Sequence, residues 1–454
     1  MSLRQWGMLY NVLLCEDHKM CEIMQIRDAS NYIGKQVRLR GWLRNKRSGK
    51  GLHFLILRDG TGEIQCLADG AKLDAETMEA CDKVGMESSL EVTGTLRVEK
   101  RAPGGFEMHV TRVEVRQLVT EYPITKKEHG IEFLMANRHL WIRSRKQAAV
   151  LRVRDEIEKA WADFFYERGF VRVDAPIFTP NSVEGTTTLF EVDYHGEEAF
   201  LSQSGQLYNE ATAAALGKVY CFGPTFRAEK SKTRRHLLEF WMLEAEATYF
   251  THEENLRLQE ELIEETVSRV LASCKQELAL LERDTTRLEA VKAPFPRLHY
   301  RDAVALVNEK MPEREAPFAY GDDFGAQEET CLSEHYAQPV FITNFPVSIK
   351  PFYMKRDPAD PETVLGSDLL APEGVGEIIG GSERETDLAA MQERLRECGL
   401  PQEAFEWYLD LRRFGTVPHS GFGIGLERTI SWLCGVAHLR ETIAFPRMLH
   451  HMYP

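Results

Sequence analysis

A short basic segment, Phe226 to Phe240, carries the residue types in this chain that are best suited to chemistry. Its permanent cations include Arg227, Lys232, Arg234 and Arg235, and His236 follows them directly. Guanidinium groups match phosphate oxygens with paired planar donors, and the ring of Phe240 offers a flat face to a base. The segment therefore predicts a nucleoside polyphosphate site. The sequence has no GxxxxGK[ST] loop and no GxGxxG turn, so neither of these glycine cradles holds the phosphates.

A second segment, Gly421 to Arg428, places Gly421, Gly423 and Gly425 on alternate positions before an arginine. Alternate glycines leave one face of a strand without side chains, so a flat ligand can lie there under Arg428. Taken alone, the pattern fits a tight strand–helix packing corner better. Beside the basic segment it favours a ligand site.

These segments resemble the signature motifs of the class II aminoacyl-tRNA synthetases. Phe226–Phe240 resembles motif 2, Gly421–Arg428 resembles motif 3, and Gly169–Pro176 resembles motif 1, which lies at the dimer interface in that class. The three occur in order, and the resemblance covers roughly residues 25 to 454. Within the aspartyl, asparaginyl and lysyl subgroup, the asparaginyl enzymes are most similar. The resemblance implies a homodimer that activates asparagine with ATP and Mg²⁺ and transfers it to tRNA(Asn).

The resemblance also implies roles for single residues. Arg227 would hold the α-phosphate and the attacking carboxylate, and Arg428 and His236 the γ-phosphate end, with both arginines catalytic. Phe240 would stack on adenine and Glu229 would accept from its amino group. The remaining residues expected at the ATP site are Arg235, Leu237, Glu377 and Gly425.

Magnesium requires oxygen ligands. By resemblance, Asp368 and Glu377 are the metal carboxylates, and Ser382 supplies a further oxygen. Two acids in a loop also fit ordinary surface charge.

The amino-acid pocket is implied by the same resemblance and draws on several segments. Glu184 would bind the substrate ammonium, Ser204 and Gln206 would make polar contacts, and Arg384 would face the substrate side chain. Glu244 stands at a position that is acidic in both the aspartyl and the asparaginyl enzymes.

One position separates asparagine from aspartate as the expected substrate. Aspartyl enzymes resemble Gln-Ser-x-Gln-Leu-(Tyr/Phe)-Lys, where the lysine pairs with the substrate carboxylate. Here Asn209 takes that place and Glu210 follows. Loss of the cation disfavours an anionic side chain, and Glu244 or Glu210 can accept from an amide.

Composition limits the class of protein. The chain has 454 residues, of which 43% are apolar, which predicts two or three globular domains. It has no run of 18 apolar residues, so we expect no membrane span. Nine scattered cysteines without a CxxC pair indicate reduced thiols in a cytoplasm rather than a zinc site.

The predicted fold class is α+β. Residues 1–24 are an unassigned extension, 25–120 an OB-fold barrel of five strands that binds the anticodon, 121–135 a hinge, and 136–454 a class II catalytic domain on a mixed, mainly antiparallel sheet flanked by helices. The apolar spacing predicts a helix over Lys146–Arg168 and another that runs to about Leu281. The second helix begins at a capping box of Thr251 and Glu254. Residues 285–340 are Pro-rich, and we expect them to be irregular.

A basic surface distinguishes the expected barrel from the rest of an acidic chain. The net charge is −14, yet residues 25–120 hold 16 Lys and Arg against 13 Asp and Glu. Lys35 to Lys50 holds seven basic residues and no acidic one, a charge pattern that also fits a solvated strand without a partner. Within it, Val37, Leu39 and Leu43 alternate with basic and aromatic residues, which predicts a half-buried strand with a basic and aromatic outer face. By resemblance, Phe54 stacks on an anticodon base and Gln65 reads a base edge, with Arg44 beside them; both Phe54 and Gln65 also fit plain barrel positions.

Three other functions remain open at this point. An aspartyl enzyme of relaxed tRNA specificity is the nearest. An ATP-dependent asparagine synthetase shares the catalytic domain but lacks a barrel, so residues 25–120 count against it. An RNA-binding paralogue with an inactive site is expected to lose Arg227, Glu377 or Arg428, and all three are present.

Overall fold

The chain divides into two compact units, which meet in sequence at Gly130 and Ile131, inside the segment expected to be the hinge. The structure is a computed structural model that describes residues 21–183 and 188–454. Glu184 therefore lies outside the described residues.

The first unit is a small β-barrel. Its strands are β1 Glu22–Ile23, β2 Gln36–Gly49, β3 Leu52–Arg58, β4 Glu63–Asp69, β5 Ser89–Val98 and β6 Phe106–Gln117, and it also holds helix α1 Ala75–Lys83 and two 3₁₀ turns, Ile26–Tyr32 and Pro103–Gly105. The strand order is β1-β2-β3-β4-β6-β5, and β5 pairs back with β2 to close the barrel. Five long strands thus form the predicted OB fold, and the two-residue β1 is an addition.

Alternation of side chains explains which face of the barrel is buried. Val37, Leu39 and Leu43 on β2 have no exposed surface, whereas Arg40 and Trp42 between them point outward. The basic and aromatic outer face predicted from the sequence is confirmed.

The second unit is built on one mixed sheet of eight strands. Its strands are β7 Val171–Arg172, β11 Lys218–Phe226, β12 Glu239–Thr248, β13 Arg297–His299, β14 Val340–Thr343, β15 Gly366–Ala371, β16 Gly376–Glu383 and β17 His419–Gly425. Their order is β13-β14-β15-β16-β17-β12-β11-β7, and only the β13–β14 and β11–β7 pairs are parallel. A separate small sheet has the order β8-β10-β9, from β8 Phe178–Thr179, β9 Glu191–Tyr194 and β10 Glu197–Leu201.

Helices flank the large sheet. They are α2 Ile131–Ala136, α3 Arg138–Trp141, α4 Arg145–Glu167, α5 Gln206–Leu216, α6 His252–Ser273, α7 Lys275–Leu280, α8 Thr286–Glu289, α9 Tyr300–Lys310, α10 Ala326–His335, α11 Leu388–Glu397, α12 Glu406–Arg413 and α13 Leu426–Cys434; 3₁₀ turns occupy Val347–Ile349, Gln402–Phe405 and Leu439–Glu441. The α+β class predicted from the sequence is confirmed.

One face of the large sheet forms the main core. Leu243, Phe422, Ile424 and Ile379 are buried there with apolar side chains of α4, α6 and α13. Because side chains alternate along a strand, the intervening positions of β12, β16 and β17 project from the opposite face. That face carries the polar residues described below.

The two predicted helices differ in how well they match. Helix α4 ends next to Gly169, whose φ of +75° suits the residue after a helix. Helix α6 begins with the predicted capping box of Thr251 and Glu254 but ends at Ser273, because Cys274 leaves the helical conformation (φ −107°, ψ 29°). Residues 285–340, expected to be irregular, contain α8, α9 and α10 instead.

None of the helices in the described ranges 21–183 and 188–454 combines the length and the apolar character needed to cross a membrane.

Candidate active site

A cavity of about 540 Å³ lies against the polar face of the large sheet. Most of the residues predicted for the ATP and amino-acid sites line it: Ser204, Gln206, Arg227, Glu229, Arg235, His236, Leu237, Phe240, Glu244, Asp368, Glu377, Arg384, Gly425 and Arg428. A cavity of this size accommodates a small ligand.

The loop between β11 and β12 carries the predicted triphosphate-binding residues. Its ends are held together by a hydrogen bond from the Arg227 backbone N–H to the Leu238 carbonyl at 3.0 Å. The Arg227 guanidinium lies over the Phe240 ring, 5.4 Å from its centroid. Leu237 is buried against Leu439 and Ile443, which anchors the loop to the C-terminal segment.

His236 contacts Glu229, with Nε2 at 3.3 Å from the carboxylate, so these two predicted ligands face each other. Its Nδ1 contacts the hydroxyls of Ser231 and Thr233. Burial lowers the pKa of His236, and Arg428 and Arg227 lower it further against the opposing effect of Glu229. The imidazole is therefore neutral at pH 7.

Arg235 is engaged by its surroundings rather than directed at the centre of the cavity. Its guanidinium donates to the Ala326 carbonyl at 3.1 Å, to the Thr330 hydroxyl at 2.5 Å and to the Gly374 carbonyl. The guanidinium also lies 3.7 Å from the Glu329 carboxylate. Burial lowers the pKa of Arg235. The arginine joins the loop to α10.

Gly423 and Gly425 of β17 line the cavity, and Gly421 precedes them on the same face of the strand. The surroundings of the three glycines differ. A Cβ at Gly421 would lie 2.0 Å from Glu246 Oε2, and one at Gly423 would lie 2.6 Å from the Met242 methyl group. A Cβ at Gly425 would meet nothing within 4 Å. The face of β17 that the glycines leave without side chains is therefore covered by side chains of β12 at Gly421 and Gly423 and is open at Gly425.

Helix α13 follows directly and positions two charged residues. Arg428 Nη1 donates to the Glu377 carbonyl at 2.7 Å and lies 3.6 Å from its carboxylate. Glu427 is buried, pairs with Arg154 of α4 at 2.7 Å, and accepts from the Trp241 backbone N–H at 2.9 Å. This carboxylate links α4, β12 and α13.

The predicted metal carboxylates converge on a glycine. A Cβ at Gly380 would lie 3.0 Å from Glu377 Oε1 and 3.6 Å from Asp368 Oδ1, so both oxygens border space that only a glycine leaves open. Carboxylate oxygens are the ligands that Mg²⁺ prefers, and the donor set suits that ion. Burial and the nearby Glu377 raise the pKa of Asp368 to about 7, although Lys350 acts in the opposite direction.

Ser382, the third predicted metal ligand, is placed differently. It is fully buried, and its hydroxyl accepts from Arg384 Nη1 at 2.8 Å. The structure therefore brings Asp368 and Glu377 together but directs Ser382 to Arg384.

Arg384, predicted to face the substrate side chain, lines the cavity and is paired with a carboxylate that the sequence did not reveal. Its Nη2 lies 2.9 Å from Glu246 Oε2, and its Nε donates to Oε1 of the same group at 3.2 Å. Both side chains are almost fully buried. Burial raises the pKa of Glu246, and Arg384 opposes this shift.

Glu244 is held by donors at the start of α5. Its carboxylate accepts from the Ser204 hydroxyl and from the Gly205 backbone N–H, the latter at 2.7 Å. Asn209 lies buried behind it and donates to the Glu244 carbonyl at 3.1 Å and to Cys221 Sγ at 3.2 Å. Asn209 thus supports Glu244 from behind, and Glu184 lies outside the described residues.

A buried network stands behind these residues. Glu210 accepts from Arg412 Nη2 at 2.7 Å, from the Tyr408 hydroxyl at 2.7 Å, from His419 Nε2 at 2.9 Å and from Gln206 Nε2 at 3.2 Å. Burial would favour the protonated acid, but Arg412 and His419 hold the pKa of Glu210 well below its usual range. Glu210 is therefore a fixed anion that orients Gln206.

Our sequence interpretation missed three charged residues of the cavity, which are Lys350, Asp323 and the Glu427 described above. Lys350 Nζ lies 2.6 Å from Asp368 Oδ2 and 3.8 Å from the centroid of the Phe345 ring. The run of proline and aromatic residues around Lys350 was the available signal. Asp323 lies in the segment that we expected to be irregular, and no local pattern marks it.

The barrel brings its three predicted residues to one face. Phe54 and Ile56 share a face of β3, and Gln65 pairs with Ile56. Arg47 covers the Phe54 ring at 5.8 Å and donates to Gln65 Oε1 at 3.3 Å. Gln65 is buried and donates to Glu107 at 2.6 Å, so it is not a solvated edge residue.

Arg44 approaches the same region. It lies 3.7 Å from Glu63, which precedes Gln65 by two positions on β4 and so shares its face. Arg47 and Glu107 were not predicted, and the basic run of β2 was the only signal for Arg47.

Comparisons with known proteins agree with this architecture. Residues 130–449 match the family model described as tRNA synthetases class II (D, K and N), and residues 37–116 match that of the OB-fold nucleic acid binding domain. The asparagine–tRNA ligase of Pelotomaculum thermopropionicum is 58% identical over 95% of this chain and 100% of its own. That of Thermus thermophilus is 55% identical over 94% of this chain and 99% of its own.

A solved structure is similar over nearly the whole chain. The asparaginyl-tRNA synthetase of Pyrococcus horikoshii complexed with asparaginyl-adenylate has 42% sequence identity and a TM-score of 0.92. The similarity covers 96% of this chain and 100% of that one.

Proposed function

Because the chain belongs to the class II tRNA synthetases of the D, K and N group, we propose that it is an asparagine–tRNA ligase. It activates asparagine with ATP and transfers it to the 3′ end of tRNA(Asn). The observation that carries the proposal is the charge of the amino-acid end of the cavity. There Arg384 is already neutralised by Glu246, and Glu244 adds a negative charge.

This charge pattern favours a neutral substrate side chain. An aspartate side chain would bring a further anion next to the carboxylates of Glu244 and Glu246 in a largely buried place, where like charges are costly. An amide offers both a donor and an acceptor. Its NH₂ can donate to Glu244, and its oxygen can accept from Arg384.

The reaction has two steps. A carboxylate oxygen of asparagine attacks the α-phosphorus of ATP, forms a bond to it and expels pyrophosphate. The terminal ribose hydroxyl of the tRNA then attacks the acyl carbon and expels AMP. The first step joins two anions, so it depends on fixed cations that stabilise the growing charge.

The phosphate-facing residues supply those cations. Arg227 lies at the start of the β11–β12 loop, between the amino-acid end and the triphosphate end of the cavity, and holds the α-phosphate and the attacking carboxylate. Arg428 and His236 hold the γ-phosphate end. Phe240 stacks on adenine, above the open backbone at Gly425.

A magnesium ion fits Asp368 and Glu377, whose oxygens border the open space at Gly380. When bound, Mg²⁺ supplies positive charge to the phosphates. The protein holds the two carboxylates on adjacent strands β15 and β16, so their spacing is set by the sheet rather than by a loop.

The barrel binds the anticodon of tRNA(Asn). Phe54 offers the stacking surface, Gln65 the base-reading amide, and Arg44 and Arg47 a positive charge for the phosphates. Glu107 fixes one end of the Gln65 amide at 2.6 Å, which orients the group for a single base.

The enzyme is a homodimer in this proposal. Strand β7 and the small β8-β10-β9 sheet present a group of exposed apolar side chains: Val171, Ile177, Phe178 and Tyr194. An exposed apolar patch of this kind typically marks an interface, and β7 lies in the motif 1 segment. We place the enzyme in the cytoplasm, where its buried thiols stay reduced.

The test is ATP–pyrophosphate exchange with asparagine and aspartate side by side. We expect exchange that requires asparagine and Mg²⁺, with aspartate weaker by roughly 10⁴-fold, because the pocket would leave its polar groups mispaired. Equal or faster exchange with aspartate would reject the asparagine assignment. Absence of exchange with either amino acid would reject the enzymatic proposal.

A further inference from the structure

Lys350 is a lysine held inside a cluster of acids at the triphosphate end of the cavity. Its ammonium lies 2.6 Å from Asp368 Oδ2 and against the Phe345 ring. Asp323, Asp368 and Glu377 all contribute charge at this position. A buried ammonium persists only where anions surround it.

The Lys350 ammonium is bonded to Asp368, one of the two carboxylates that would bind a metal ion. Asp368 Oδ1 borders the open space at Gly380, while Oδ2 is committed to Lys350. A divalent cation at Gly380 would lie next to a fixed positive charge, which weakens its binding through direct repulsion. A metal ion and an undisturbed Lys350 therefore compete for Asp368, while Glu377 contributes negative charge to both.

We propose, on the basis of the proposed function, that Lys350 is a placeholder cation. Its ammonium pairs with Asp368 until a polyphosphate binds, and metal binding therefore depends on the nucleotide. A phosphate chain gives the ammonium a new anionic partner within the cavity. Asp368 and Glu377 are then released to the metal ion. The two ligands thus bind cooperatively, and each increases the affinity for the other by the same factor.

The mechanism predicts how free Mn²⁺ binds to the enzyme without nucleotide. Electron paramagnetic resonance of Mn²⁺ measures this directly and requires no catalysis. We expect weak binding to the wild-type enzyme that inorganic pyrophosphate strengthens by a factor of about 5 to 150, the usual range of such coupling, after the Mn²⁺ that pyrophosphate chelates in an enzyme-free sample is subtracted.

Substitutions separate the lysine from the general charge of the cavity. Lys350→Met should bind Mn²⁺ without pyrophosphate about tenfold more tightly than wild type, and Asp368→Asn in that background should abolish the gain. Lys350→Arg, which keeps a cation, should resemble wild type. Lys355→Met is the matched control, because Lys355 pairs with Glu383 at the same 2.6 Å but does not line the cavity.

The outcomes decide the proposal. Tighter Mn²⁺ binding in Lys350→Met, lost with Asp368→Asn and absent from Lys355→Met, supports it. Wild-type affinity in a folded Lys350→Met enzyme overturns it. If Lys350→Met does not fold, the wild-type experiment still decides, because tight Mn²⁺ binding without pyrophosphate that Asp368→Asn abolishes also overturns the proposal.

A failure here is distinct from a failure of the proposed function. The Mn²⁺ experiments contain no amino acid and no tRNA. An enzyme that exchanges pyrophosphate with asparagine yet binds Mn²⁺ equally with and without pyrophosphate retains its function and loses only the placeholder.

Discussion

Gly421 offers the sharpest single-atom perturbation of the proposed substrate pocket. The residue lies on β17 directly opposite Glu246 of β12. A Cβ there would lie 2.0 Å from Glu246 Oε2, 2.3 Å from the Ala245 carbonyl oxygen and 2.7 Å from Arg384 Nη2. The carbonyl belongs to the backbone of the paired strand β12, so Gly421→Ala must shift β17 itself as well as displace the Arg384–Glu246 pair.

The free-energy cost of Gly421→Ala depends on the groups that the new methyl group displaces. Overpacking a well-packed core costs about 1–3 kcal/mol, and disturbing a buried charge pair approaches the roughly 3–5 kcal/mol of breaking one. We therefore expect about 3 kcal/mol. If that loss falls on the contact between Arg384 and the substrate amide, it corresponds to roughly 100-fold in kcat/KM for asparagine.

The assay is pyrophosphate exchange at varied asparagine and varied ATP, together with thermal unfolding. Gly223→Ala is the control, because Gly223 lies on β11 of the same sheet, two strands from β17, and its Cβ would meet nothing within 4 Å. Gly425→Ala should instead raise the KM for ATP alone. A Gly421→Ala enzyme with wild-type KM for asparagine and wild-type unfolding would refute the assignment of Arg384 to the substrate.

Three further predictions address the network, the histidine and the barrel. Glu210→Gln should destabilise the fold by about 3–5 kcal/mol, because Arg412 stays buried without its counter-ion. Since folding lowers the pKa of Glu210, the stability that its carboxylate contributes is complete above the ordinary pKa of 4.5 and is lost as the pH falls below that value. Urea midpoints measured against pH should therefore fall less steeply in acid for Glu210→Gln than for the wild type. His236 has a lowered pKa, so a bound triphosphate should raise it and ATP binding near neutral pH should take up a proton, seen by calorimetry in two buffers and absent from His236→Asn. Phe54→Ala should weaken tRNA charging by about 1–3 kcal/mol and leave exchange unchanged; a parallel loss of both activities would exclude a separate anticodon site.

Local patterns account for what the sequence predicted well. The capping box at Thr251, the buried alternation of β2 and the bare face of β17 each depend on residues close together in the chain. Such patterns locate strands, helix starts and motif segments, and most of the predicted ligands of the second unit line one cavity as a result.

What the sequence did not reveal depends on contacts between distant segments. Glu246 is bound to Arg384, 138 positions away, and Glu210 to Arg412, 202 positions away. No local spacing predicts which acid will meet which arginine inside a core. Lys350 was missed for the same reason, since it follows a 3₁₀ turn and its partner Asp368 lies on β15, 18 positions away.

Some predictions were altered by tertiary structure rather than missed. Asn209 is the position that argued for asparagine, yet it lies buried behind Glu244 and donates to its carbonyl. Its influence on substrate choice is therefore indirect, through the placement of Glu244. Ser382 faces Arg384 rather than the metal carboxylates, because two strand positions separate it from Gly380.

The most direct test of the central claim is charging of tRNA(Asn) from an equimolar mixture of asparagine and aspartate, with the attached amino acid identified by mass spectrometry. The proposed charge balance of Arg384, Glu246 and Glu244 predicts asparaginyl-tRNA as the product, with aspartyl-tRNA below the level of detection. Aspartyl-tRNA in equal or greater amount would contradict the proposed pocket and the function drawn from it.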